Sequence, residues 1–138
     1  MPYKRIVMAR EVTTTGSKKV KTLYKEFNEH FPYLRLKLLS SIEYSKSLSG
    51  ETITGVSIEH TLNDVREKKG KGVISFSGRK KVKTVEEEFK EVFGLYCQIC
   101  YTSADGKRYY TSKAEDSKTL TQLNREKMEA SCLKGEWS

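Results

Sequence analysis

Lys18 to Phe31 read KKVKTLYKEFNEHF, and Lys80 to Phe93 read KKVKTVEEEFKEVF. The two stretches are identical at nine of fourteen positions: Lys-Lys-Val-Lys-Thr at the start, then Glu, Phe, Glu and a final Phe at matched places. Agreement at this density within a chain of 138 residues marks an internal repeat.

Each copy carries an apolar stripe at helical spacing. Leu23, Phe27 and Phe31 recur every four residues with Tyr24 alongside, and Val85, Phe89, Val92 and Phe93 do the same in the second copy. Thr84 with Glu87 three residues later matches a capping box. Thr22 is placed to cap the first helix, but Lys25 stands where the Glu would be. Pro32 and Gly94 follow the last Phe of each copy as stop signals.

β-like runs precede the helices, Tyr3 to Val12 in one copy and Gly72 to Ser77 in the other. Alternating runs follow them. Leu34, Leu36 and Leu38 interleave with Tyr33, Arg35 and Lys37, while Leu95, Cys97, Ile99 and Tyr101 interleave with Tyr96, Gln98 and Cys100. Asp105-Gly106 signals a tight turn into a strand over 107–111. The equivalent strand of the first copy is expected over 51–54, after a longer connection through Gly50. A polar helix closes each copy, over 61–70 and 119–128, with Gly70 placed to end the first.

The expected fold class is therefore α+β: two tandem β-α-β-β-α repeat units, 1–70 and 71–138, packed together with pseudo-twofold symmetry. Each unit alone is near the lower size limit for an independent core. The pattern Val-Lys-Thr-(Leu/Val), two Phe at fixed spacing, a Pro or Gly stop and a later Thr-Leu helix start resembles small uncharacterised bacterial proteins built from such a tandem motif. The resemblance covers most of 18–130. It implies the architecture and no activity. Pro32 departs from the Gly that the motif carries at that place.

The net charge is +8, from 26 basic and 18 acidic residues. Residues 1–70 hold 13 basic and 8 acidic, and residues 71–138 hold 13 and 10, so the excess is shared and not confined to a tail. Such a balance suits anionic partners, namely nucleic acid (DNA or RNA), acidic proteins or a lipid surface, and equally serves solubility alone. No run approaches the roughly 18 apolar residues of a membrane span, and the N-terminus lacks the apolar core of a signal peptide. Three cysteines do not read as a disulfide framework. The expectation is a cytoplasmic protein with no membrane partner.

Candidate chemistry is sparse. Lys18, Lys19, Lys21 and Thr22 precede one helix, and Arg79, Lys80, Lys81, Lys83 and Thr84 precede the other. Helix N-termini present unpaired N–H groups and the positive end of a dipole, so two such basic corners could grip backbone phosphates. Glu86-Glu87-Glu88, read with Glu91 as a solvated helix face, shields the second corner and leaves the first as the better site. Tyr96, Tyr101, Tyr109 and Tyr110 near Lys107 and Arg108 could stack bases, although tyrosine equally suits a half-buried sheet. Cys97-Gln-Ile-Cys100 spells C-x-x-C within an alternating strand, which turns the sulfurs to opposite faces, so neither a metal nor a redox site is expected. His30 and His60 lack triad partners in the sequence, and the repeat duplicates Lys, Thr and Phe but no catalytic set. The sequence reading is a non-catalytic, cofactor-free binding module. Its expected ligand is nucleic acid at Lys18, Lys19, Lys21, Thr22, Arg79, Lys80, Lys81 and Lys83. The alternatives are a protein-interaction module and a small-molecule sensor with its site between the repeats.

Overall fold

The computed structural model describes residues 12–134. Its elements in chain order are β1 (Val12–Thr14), α1 (Val20–His30), β2 (Arg35–Leu39), α2 (Ser41–Leu48), α3 (Leu62–Val65), β3 (Ile74–Phe76), α4 (Val82–Phe93), β4 (Tyr96–Thr102), β5 (Arg108–Tyr110) and α5 (Leu120–Glu129), with a 3-10 turn at Lys113–Glu115. The α+β class holds. Apart from Val12, the β-like run expected over Tyr3 to Val12 lies outside the described residues.

The two copies are joined through both sheets. β1 pairs antiparallel with β3, Thr13 facing Ser75. β2 pairs antiparallel with β4, Lys37 facing Gln98, and β5 adds to the far side of β4 to give the order β2-β4-β5. In each pairing the central residue faces its own counterpart in the other copy.

Helices α1 and α4 pack on one face of the three-stranded sheet. Val20, Leu23, Tyr24 and Phe27 of α1 are buried, as are Val82, Val85, Phe89 and Phe93 of α4. They meet Leu36, Leu38, Cys97 and Ile99 in one core cluster that draws on both copies. Phe76 lies between the helices, 5.7 Å from Phe27 edge-on and 5.6 Å from Phe89 in a stacked arrangement. Such ring pairs add about 0.5–1.5 kcal/mol each to the burial of their area. Units 1–70 and 71–138 thus contribute to one continuous hydrophobic interior.

Several local expectations are corrected. The helices start at Val20 and Val82, with Lys19 and Lys81 as N-caps that accept no side-chain cap bond, so Thr22 and Thr84 lie within the first turn. No strand forms over 51–54. Instead the chain makes α2, started by a reciprocal capping box: Glu43 N donates to Ser40 Oγ at 3.2 Å and Ser40 N to Glu43 Oε1 at 3.1 Å. Glu43 Oε2 also accepts from Gly55 N at 3.0 Å, which ties the returning strap to the helix. The helix expected over 61–70 is the single turn of α3, because Glu67 N and Lys68 N leave the helical path to donate to Phe93 O at 2.9 and 3.1 Å. Gly70 therefore ends no helix. At Gly94 the chain takes a left-handed turn with φ of 69°, and a Cβ there would stand 2.8 Å from Lys68 N.

Candidate nucleic-acid interface

The basic corners are closed by the protein's own backbone. In the first, Val20 N donates to His60 O at 2.9 Å and Lys21 N to Ile58 O at 3.0 Å. In the second, Val82 N donates to Lys118 O and Lys83 N to Asp116 O, both at 3.0 Å. Leu62 N returns a bond to Lys18 O and Leu120 N to Lys80 O, so each corner is clasped against the start of the closing helix of its copy. Gly16 and Gly78 permit that approach: a Cβ on either would overlap Asn63 or Thr121. Four of the N–H donors that would otherwise face an anion are thus spent on carbonyls.

The lysines divide into two groups. Lys18 Nζ donates to Thr13 O and pairs with Glu26, and Lys80 Nζ donates to Ser75 O and pairs with Glu88. Both therefore reach the β1–β3 ladder at its central residue pair. Lys21 pairs with Glu59 at 3.0 Å. Lys19, Arg79, Lys81 and Lys83 are exposed and make no ion pair among the described residues, and Thr22 is exposed on α1.

A second basic region lies on the outward face of the sheet. Strand parity places Arg35 and Lys37 of β2, Gln98, Cys100 and Thr102 of β4, and Arg108 and Tyr110 of β5 on this face. Arg35 stands opposite Cys100, which stands opposite Tyr110, while Thr102 stands opposite Arg108. A cleft of about 170 Å³ opens here, lined by Arg35, Lys37, Arg108, Cys100, Tyr24 and Thr54 together with two apolar side chains. None of these eight residues is acidic. Burial pushes the Cys100 thiol up, while Arg108, Lys37 and Arg35 pull it the other way, as cations close to a thiol do. Lys37 Nζ donates to Ile53 O at 3.2 Å, a neutral acceptor, and makes no ion pair among the described residues.

Of the four tyrosines on this hairpin, two are committed to internal contacts. Tyr96 stacks on Tyr44 at 4.1 Å, with Lys90 Nζ 5.3 Å from its ring centre, and Lys127 Nζ sits 3.9 Å over Tyr101. Tyr109 stacks on Tyr101 at 5.9 Å yet keeps 43% of its surface exposed, and Tyr110 keeps 44%.

A larger cleft, about 520 Å³, draws on both copies: Leu39, Tyr44 and Leu48 from the first, and Glu86, Gln98, Tyr110 and Asp116 among those from the second. Glu86 corrects the reading of a solvated Glu face. It is half-buried at the place on α4 that Tyr24 holds on α1, and its carboxyl is pushed up to about 7 by burial, then by the charges of Asp116 and Glu87. The signal was present in the sequence, since Glu86 falls four residues after Val82 and next to Val85 on the apolar stripe. The cleft over Cys100 had a partial signal as well, in the outward alternation of Arg35 and Lys37. What the sequence does not display is that β4 carries Arg108 to the same cleft.

Cys97 belongs to the core cluster and Cys100 to the outward face, and all three cysteines are buried thiols. Among the described residues no group of three or more His, Cys, Asp or Glu side chains is arranged to hold a metal, and no helix is long and apolar enough to cross a membrane. No protein-family model, curated protein or solved structure matches the chain.

Proposed function

We infer that this protein is a non-catalytic module that binds nucleic acid, DNA or RNA, across the outward face of its three-stranded sheet. One observation carries the reading: cations from both outer strands, Arg35 and Lys37 of β2 and Arg108 of β5, share that face with the exposed ring of Tyr110. Phosphates are held by cations and unstacked bases by aromatic faces, and a sheet that offers both suits a single strand better than a duplex. The exposed Lys19, Arg79, Lys81 and Lys83 then add long-range attraction, with no helix N-terminus required.

The test is fluorescence anisotropy with labelled single-stranded and duplex oligonucleotides between about 50 and 200 mM salt. The expected result is tighter binding of single strands, with affinity falling steeply as salt rises. Arg108→Gln should flatten the salt dependence, and Tyr110→Ala should weaken binding by about 1–3 kcal/mol. Absence of binding at the lowest salt overturns the reading. So does a pulldown in which a protein partner is retained after nuclease treatment and independently of salt, which is the outcome expected of a protein-interaction module.

A further inference from the structure

We propose that the cleft of about 520 Å³ between the copies is a binding site for a small organic ammonium ion, held by the carboxylates of Glu86 and Asp116 against the rings of Tyr44 and Tyr110. It uses none of the sheet's cations and stands whether or not nucleic acid binds there.

The repeat supplies the first ground. Glu86 stands on α4 where Tyr24 stands on α1. Asp116 stands where Ile58 does, since Lys21 N donates to Ile58 O and Lys83 N to Asp116 O, both at 3.0 Å. In the first copy these places carry a tyrosine whose phenolic oxygen accepts from Leu38 N and an isoleucine packed against the core. The corner thus forms without a carboxyl at either place in one copy, and carries a carboxyl at both in the other.

Charge is the second ground. Glu26, Glu59, Glu88, Glu115 and Glu126 each hold a lysine, whereas the carboxyls of Glu86 and Asp116 make no ion pair or hydrogen bond among the described residues. Burial, then the negative charges of Asp116 and Glu87, push the Glu86 carboxyl up to about 7. The other titratable groups around it are the Cys97 thiol of β4, itself pushed up by burial, and the Tyr44, Tyr110 and Lys113 side chains of the lining. Lys113 is exposed. An ammonium ion seated between the two carboxyls replaces their repulsion by attraction, in a half-buried place where screening by water is reduced.

Shape is the third ground. The volume falls within the roughly 300–1,000 Å³ of sites that enclose a drug-sized molecule. Leu39 and Leu48 supply apolar wall, and Tyr44 is fixed in place by its stack on Tyr96 at 4.1 Å. Carboxylates beside aromatic rings and apolar wall suit a cation with a hydrocarbon body. A bare metal ion suits the lining less, because no group of three or more His, Cys, Asp or Glu side chains gathers among the described residues.

The test is an NMR titration with phenethylammonium chloride, run against sodium chloride of equal ionic strength and against phenethyl alcohol, a neutral molecule of nearly the same shape. Side-chain carboxyl carbon signals of Glu86 and Asp116 report on the site. The expected result is a saturable shift of both with the ammonium ion and none with the alcohol. Glu86→Gln and Asp116→Asn should each weaken binding about tenfold and Lys113→Gln should tighten it about twofold, with thermal melts verifying folding. Affinity should rise about fivefold from pH 6 to pH 8, because Glu86 ionises across that range while the ammonium ion stays charged. Equal binding of the alcohol, a linear response, or wild-type affinity in Glu86→Gln/Asp116→Asn overturns the site. So does a saturable response to calcium chloride with none to the ammonium ion, which assigns a divalent cation instead.

Discussion

Replacing Glu86 with Gln tests whether the cleft between the copies carries the strain that its geometry implies. Glu86 is a half-buried carboxyl on the apolar side of α4, facing the charge of Asp116. In the unfolded chain its pKa returns toward 4.5, whereas in the fold it is pushed up to about 7, by burial first and by Asp116 and Glu87 next. The folded state therefore binds more protons than the unfolded state between these values, and stability falls as pH rises through that window. Below about pH 4.5 the group is protonated in both states and costs the fold nothing. Above about pH 7 it is ionised in both, and the fold bears the whole penalty.

The full displacement corresponds to about 3 kcal/mol. Glu86 retains substantial contact with water, so screening reduces this to about 1–2 kcal/mol. Glutamine keeps the shape and removes the charge. Glu86→Gln is expected to raise the unfolding free energy by about 1–2 kcal/mol at pH 8, by about half of that near pH 6, and not at all at pH 4.5. Urea unfolding at those three pH values measures the difference between variant and wild type, which cancels the titration of every other group. Asp116→Asn should recover part of the same gain. A difference independent of pH, or a loss of stability in Glu86→Gln at pH 8, would refute the burial and repulsion assigned to this carboxyl.

Three further outcomes follow from backbone and packing. Gly94→Ala should cost about 2–4 kcal/mol, from the left-handed turn and from displacing the two N–H bonds to Phe93 O, whereas Gly106→Ala, with φ of 84° and open space around it, should cost only about 1; paired urea titrations measure the gap. Thr14→Val should stabilise by up to about 1 kcal/mol in thermal melts, because Thr14 Oγ1 is buried with no hydrogen-bond partner among the described residues. Tyr24→Phe should destabilise by about 1–3 kcal/mol, since Leu38 N loses the phenolic oxygen to which it donates at 2.8 Å; loss of protection of the Leu38 amide in hydrogen exchange localises the effect.

Local signals governed what was legible. The stripes of α1 and α4, the alternation of β2 and β4, and the turn at Asp105-Gly106 all arise from residues a few places apart, and each element formed where its periodicity placed it. The capping box that starts α2 is equally local, Ser40 with Glu43. It takes the first copy along a path different from the hairpin of the second. The strand expected over 51–54 failed for the same reason. At Glu86 position on the stripe outweighs chemical type, and the carboxyl is half-buried on α4. The closed helix N-termini and the cleft over Cys100 were beyond local reading altogether. Both depend on partners distant in sequence: His60 and Ile58 for one corner, Lys118 and Asp116 for the other, and Arg108, across β4, for the cleft that Arg35 also lines.

The lysines of the repeated phrase acquire a physical reason from a third corner that the repeat does not include. Lys18 precedes Val20 by two residues and reaches Glu26; Lys80 precedes Val82 by two and reaches Glu88; Lys118 precedes Leu120 by two and reaches Glu126. In each case the lysine stands just ahead of a helix, its partner lies two turns in, and the first helical residue is fully buried. The same device at α5, outside the KKVKT phrase, ties it to the helix start. Part of the basic signal is therefore internal stapling, with each stem laid over the apolar stripe and each head held by a carboxylate. Charge available to a partner includes that of Lys19, Arg79, Lys81 and Lys83 at the corners and of Arg108 and Lys37 on the sheet, with exposed Lys25, Lys69, Lys71, Lys107 and Lys113 elsewhere. Of these, Arg108 and Lys37 line one cleft, of about 170 Å³, together with Arg35.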